Sequence, residues 1–162
     1  MIMLEQVVNN ILNAFEDTVI PSVEDIFMDG VDLYPEYSQI LKLLSDKKWN
    51  DLSVEDLHIV EDGIYSFTPR AFVYYLPAFL LRTLEMFESE DMLSETTLSI
   101  LRPPNSTYID LFNRRIQEMT LKQKRAVKHF LQYLLRQFPE YFVDEDAKTF
   151  TFWQIHSNKL FR

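Results

Sequence analysis

His58, Glu61 and Asp62 are the residues whose types and spacing could most directly do chemistry. His58 and Glu61 are three positions apart, so in a helix the imidazole and the carboxylate lie on one face. Such a pair suits general acid–base catalysis or metal ligation. Glu61 and Asp62 also end a predicted helix, residues 53–62, where the helix dipole disfavours negative charge. A solvated turn, or pairing with Arg70 or with the basic helix near the C-terminus, would explain the same residues.

The rest of the sequence offers this pair little support as a metal or cofactor site. A mononuclear metal needs a third ligand, but His129 lies on a predicted helix flank and His156 lies in the tail. The chain has no cysteine, which excludes disulfides, thiolate metal sites and a cysteine nucleophile. Its two glycines, Gly30 and Gly63, cannot form a phosphate-binding loop, a dinucleotide fingerprint or a nucleophile elbow. We therefore expect no metal and no cofactor, and an enzyme is the less favoured class.

Acidic residues dominate the first part of the chain. The net charge is −9, with −14 on residues 1–98 and +5 on residues 99–162. One cluster of acidic residues does not have the spacing of a calcium-binding loop. It is either a solvated ridge or a docking surface. Its members are Glu85, Glu88, Glu90, Asp91 and Glu95. We expect a non-enzymatic interaction module with an unidentified, basic protein partner, one version being an immunity or inhibitor protein that blocks a cationic toxin.

A basic helix is predicted at residues 121–137, preceded by Arg114 and Arg115. A row of cations on one helix is a feature of nucleic-acid-binding proteins. The net charge of −9 opposes approach to phosphate, so nucleic-acid binding is the lesser alternative. A solvated or intramolecularly paired face is the preferred interpretation.

The predicted helix at residues 69–87 is apolar on nearly every side through Leu81, which is typical of a central, buried helix. Pro77 inside it removes one amide donor, and we expect a kink there. Tyr74 and Tyr75 lie just before the kink, where they could line a pocket, although packing in the core is the commoner role of such residues.

Apolar periodicity and helix caps predict a mainly α fold, a single domain of six or seven helices over residues 1–162 around the Pro77 helix. Ser53, Thr68 and Thr120 have the chemistry of N-caps. Gly63 is suited to end the helix before it in the left-handed conformation. The predicted helices cover residues 3–16, 35–44, 53–62, 69–87, 90–102, 107–119 and 121–137.

Two segments suggest strands instead. Residues 18–34 lack a helical period and form a predicted loop, in which residues 26–28 and 31–33 could pair as a small hairpin. Residues 141–143 and 149–153 are aromatic and β-branched and flank a polar stretch, which indicates a C-terminal hairpin within a tail of residues 139–162.

Three segments resemble a family of small bacterial proteins known only as a domain of unknown function. They are Trp49-Asn50-Asp51-Leu52, the run Phe67-Thr68-Pro69-Arg70-Ala71-Phe72-Val73-Tyr74-Tyr75-Leu76-Pro77-Ala78-Phe79-Leu80, and Phe130-Leu131-Gln132-Tyr133-Leu134. The resemblance covers residues 4–136 and implies a bacterial origin and a helical fold, with no activity and no catalytic residues to transfer. The tail from Pro139 is longer than is usual for such proteins.

The N-terminus carries no signal-peptide pattern, because Glu5 and three asparagines interrupt its apolar residues. The longest apolar run, residues 71–81, is too short to span a membrane. We expect a cytoplasmic protein with no membrane partner.

Overall fold

The computed structural model describes residues 1–28, 35–45, 47–89, 92–105, 107–142 and 144–158. These residues form eight α-helices and one isolated antiparallel bridge, so the mainly α class is confirmed and the expected number of six or seven helices is wrong. The helices are α1 (Leu4–Phe15), α2 (Pro35–Leu44), α3 (Val54–Val60), α4 (Pro69–Met86), α5 (Met92–Leu101), α6 (Ile109–Glu118), α7 (Leu121–Gln137) and α8 (Asp144–His156).

The chain divides into two compact units. Unit 1 combines Met1–Asp17 with Leu101–Arg162, and unit 2 is Thr18–Ile100. Because the two termini share a unit, helices that are far apart in sequence pack together in unit 1.

Helix α4 is the centre of unit 2. All ten residues from Ala71 to Leu80 are buried, as the absence of a polar face predicts. The Thr68 hydroxyl accepts a hydrogen bond from the Ala71 amide and so caps the helix. The helix continues through Pro77, which has no amide hydrogen to donate to the carbonyl of Val73.

Helix α3 packs beside α4 and begins at Ser53, whose predicted cap is confirmed. The Ser53 hydroxyl accepts from the Asp56 amide, while the Asp56 carboxylate accepts from the Ser53 amide. Gly63 follows the helix, but its φ of −110° is not left-handed, so that prediction is wrong. A Cβ on Gly63 would lie 2.7 Å from Ile40 Cδ1, and close packing is what requires glycine there.

A chain of aromatic rings joins α2, the loop before it and α4 in unit 2. Phe27 stacks on Tyr37 at a centroid distance of 4.4 Å and meets the edge of Phe67, which in turn contacts Tyr75. Phe27 also forms the isolated bridge with Phe67. Residues 31–33 of the suggested small hairpin lie outside the described residues.

Helix α7 is the centre of unit 1 and packs against both α1 and α8. Its start at Thr120 is the predicted capping box, in which Thr120 and Gln123 each accept from the other's amide. Its apolar stripe faces that of α1, as the periodicity of both segments predicts. The buried members are Val7, Ile11, Phe15, Val127, Phe130, Leu131 and Leu134.

The predicted C-terminal hairpin is wrong, because residues 149–153 belong to helix α8. The buried residues Asp146, Thr149, Trp153 and Ser157 recur at helical spacing and form one stripe. Three of the four are polar, so apolar periodicity could not detect the stripe. The Trp153 indole is fully buried and donates a hydrogen bond to the Leu101 carbonyl at 2.8 Å, which anchors the helix.

Among the described residues, no helix has both the length and the apolar character needed to cross a membrane.

Candidate functional site

The structure brings His58 and Glu61 together with Thr96, a residue of α5. His58 Nδ1 lies 3.1 Å from one Glu61 carboxylate oxygen, and the other oxygen accepts a hydrogen bond from the Thr96 hydroxyl at 3.2 Å. Since an ionised carboxylate can only accept, His58 Nδ1 is the donor in this contact. Glu61 thus orients an imidazole that is partly open to solvent.

Both ends of α3 are fixed, which holds His58 in place. Asp56, at the start of the helix, forms an ion pair of 2.7 Å with Lys47 in addition to its capping bonds. Burial by itself would raise the pKa of Asp56, but the hydrogen bonds from Lys47 and Ser53 outweigh it and lower the pKa. The carboxylate at the helix start therefore stays charged.

Asp62 is exposed and lies next to this contact without joining it in any described hydrogen bond. Within the described ranges, no group of three or more histidine, aspartate or glutamate residues is arranged to hold a metal ion. Glu61 therefore contacts one imidazole and one hydroxyl group.

The acidic cluster is described only in part, since Glu90 and Asp91 lie outside the described residues. Glu85 is exposed and pairs with Arg82 of the preceding turn at 2.8 Å. Glu88 is exposed, and no described cation lies within ion-pair distance of it. The two described residues Glu85 and Glu88 are thus solvent-facing at the end of α4.

Tyr74, Tyr75 and Pro77 are all buried in the core of unit 2. The Tyr74 hydroxyl accepts a hydrogen bond from the Trp49 amide, and its pKa is raised by burial and by the charge of Asp51. The Tyr75 hydroxyl has no hydrogen-bond partner among the described groups, and burial with the nearby Tyr74 raises its pKa. Both phenols therefore remain neutral.

The predicted basic helix is α7, and two histidines of unit 1 lie close to its cations. The Asn10 side-chain amide lies 3.1 Å from His129 Nδ1. An amide nitrogen can only donate, so His129 Nδ1 accepts and the ring is neutral. Burial and the charges of Lys128 and Arg125 lower the pKa of His129, and burial and Lys124 lower that of His156.

Sequence reasoning missed several polar contacts. Thr96 reaches Glu61 across 35 positions, and Arg102 pairs with the buried Asp146 across 44. Arg115, predicted as part of a basic face, is instead buried, and burial together with Arg114 lowers its pKa to about 10. No spacing rule connects such distant partners; for Arg115 the available signal was its place between Phe112 and Ile116 on the apolar side of α6.

A protein-family model matches residues 3–156, and the family is described as a family of unknown function, DUF6714. The match extends beyond residues 4–136, on which the resemblance in sequence was based, and includes most of the tail. No curated protein and no solved structure matches the chain.

Proposed function

The chain belongs to the family of unknown function DUF6714, and from that premise we propose that it is a protein–protein interaction module. Its acidic unit 2 binds a basic protein partner. The observation that carries the proposal is the charge of unit 2, which has sixteen acidic and five basic residues and a net charge of −11. An excess of charge of one sign on one region of a protein steers an oppositely charged partner toward that region and favours its correct orientation.

The surface at the end of α4 is the proposed centre of contact. Three of the five cations of unit 2 already pair with acids: Lys47 with Asp56, Arg70 with Asp25 and Arg82 with Glu85. Glu88 has no cation within ion-pair distance among the described residues, so its carboxylate is open to a cation of the partner protein. Glu90 and Asp91 follow it in the sequence and add two more acidic side chains. Blocking a cationic toxin, as an immunity or inhibitor protein does, is one form that this activity would take.

Affinity purification of the tagged chain from its own host, followed by mass spectrometry, tests the proposal. We expect a basic protein in stoichiometric amount, released by salt. Neutralisation of the surface in E88Q/E90Q/D91N should weaken its binding about tenfold or more. The matched control E5Q/E16Q/D17N removes the same charge from exposed positions of unit 1 and should bind as the wild type does. Recovery of the chain alone, or equal losses in both variants, would refute the proposal.

The contact between His58 and Glu61 favours a second candidate, an enzyme that uses His58 as a general base. We propose in this case that Glu61 orients the ring through Nδ1 and that the imidazole takes up a proton from the substrate. Asp62 lies beside the pair as a further acid. H58A and E61Q should both abolish the cellular function, whereas D62N should reduce it less. An unchanged phenotype of H58A, with no metal in the purified protein, would exclude this candidate.

A further inference from the structure

Three cations on α7 form a compact group, which we call the α7 cation cluster: Lys124, Arg125 and Lys128. All three are half-buried on a helix that packs against α1 and α8. The cluster spans one helical turn, about 6 Å along the axis. Arg125 is held in place because its Nε donates to the Ser157 carbonyl at 3.3 Å.

No described carboxylate of unit 1 forms an ion pair with Lys124 or Lys128. The contrast with Lys47, Arg70 and Arg82 of unit 2 is clear, since each of these has a carboxylate within 4.0 Å. Like charges one turn apart on a helix repel each other. An arrangement that is unfavourable in the isolated protein becomes favourable when an anion binds to it.

Neutral rings and an amide border the cluster on both sides. His129 lies on the α1 side and accepts a hydrogen bond from Asn10. His156 lies on the α8 side and stacks on Phe152, with ring centroids 4.1 Å apart. Burial lowers the pKa of both histidines, and the charges of the cluster add to it, Lys128 and Arg125 at His129 and Lys124 at His156. The bond from Arg125 to the Ser157 carbonyl places the cluster beside the end of α8 that carries His156. The site thus combines positive charge with an aromatic pair that has an exposed member.

We propose that the α7 cation cluster binds the phosphate group of a small organic anion whose remaining part packs against His156. Ammonium and guanidinium groups are the side chains that recognise phosphate in proteins. The length of the cluster suits one or two phosphate groups. A long polyanion is disfavoured because the whole chain carries −9. The proposal is independent of the partner proposed for unit 2.

Titration of the ¹⁵N-labelled full chain with inorganic pyrophosphate, followed through the imidazole signals, tests this site. The chain has three histidines, and His58 in unit 2 is an internal reference. We expect the His129 and His156 signals to shift together and to saturate, while the His58 signal stays in place. Sodium chloride at equal ionic strength should not reproduce the shift.

Charge reversal in K124E/K128E should weaken pyrophosphate binding about tenfold or more. R136E/K148E makes the same change of charge at two exposed positions of unit 1 away from the cluster and should bind nearly as the wild type does. No saturable shift, or an equal shift of His58, would overturn the proposal. If a ten-nucleotide single strand shifts the His129 and His156 signals and binds more tightly than pyrophosphate, the proposal is also overturned. The surface would then be assigned to nucleic acid.

Discussion

The two units differ in how they use charge and in how they bury polar groups. Unit 2 is strongly acidic at −11, and its core around α4 is mainly apolar and aromatic, with Thr83 and Thr97 hydrogen-bonded to each other inside it. Unit 1 is slightly basic at +2, and it buries Arg115 together with the polar stripe of α8. Apolar periodicity in the sequence reveals the core of unit 2. The buried polar groups of unit 1 depend on partners far away in the sequence and are not revealed in this way. The units also hold their imidazoles differently, since Nδ1 of His58 contacts the Glu61 carboxylate and Nδ1 of His129 contacts the Asn10 amide.

Removing Trp153 should give the largest effect on stability. Its side chain is fully buried and fixes α8 to Leu101, so W153A should lower the free energy of unfolding by about 3–5 kcal/mol. I155A, at an exposed position of the same helix, should change it by about 0.5 kcal/mol or less. Urea unfolding followed by circular dichroism measures both. A small loss of stability in W153A would mean that the buried polar residues of the same stripe, and not the indole, hold α8 in place.

Gly63 tests how tightly unit 2 is packed. G63A places a methyl group against Ile40 and the Phe27 ring and should cost about 1–3 kcal/mol. I40V removes the Cδ1 atom that would lie 2.7 Å from the new methyl. In a double-mutant cycle, G63A should therefore cost less in the I40V background than in the wild type. Additive losses would show that contact with Ile40 is not the reason for glycine at this position.

Tyr74 and Tyr75 are a matched pair, since both are buried in α4 and only one has a partner for its hydroxyl among the described groups. Y74F loses the bond to the Trp49 amide and should cost about 1 kcal/mol. Y75F removes a buried hydroxyl without a partner and should raise the free energy of unfolding by about 1 kcal/mol. A loss of stability in Y75F would instead reveal a hydrogen bond that the hydroxyl makes to water or to a ligand.

The sequence predicts those parts of the fold that depend on neighbours along the chain. The caps at Ser53, Thr68 and Thr120 each need a residue three positions away, and all three are confirmed. The stripes of α1 and α7 are apolar and recur with the helical period. The predicted C-terminal hairpin is wrong because the buried residues Thr149 and Trp153 of α8 lie in a segment whose polar and apolar residues alternate as they do in a strand. The same limit applies to the candidate site, where the His58–Glu61 spacing was visible and Thr96 was not.

The smallest expected effect is a difference between the two units in how stability depends on pH. The folded-state pKa values of His129 and His156 lie below their usual value near 6.5. The unfolded chain therefore takes up protons first as the pH falls. The stabilisation from these neutral rings is complete well above pH 6.5 and is lost as the pH falls through the lower pKa values of the folded state. The Asp56 carboxylate in unit 2 has a lowered pKa, so its contribution persists until the pH falls below 3.8.

Variants of α7 sharpen this last test because they separate the titrating ring from its neighbours. H129Q keeps an acceptor for Asn10 and cannot titrate, so it should flatten the loss of stability between pH 7 and 5. K128Q removes a cation that lowers the pKa of His129 and should flatten the loss in part. R136Q removes the same charge two turns further along α7 and should leave the slope as it is. Urea unfolding at each pH gives the slopes, and equal slopes in all four proteins would show that protonation of His129 is not coupled to the folding of unit 1.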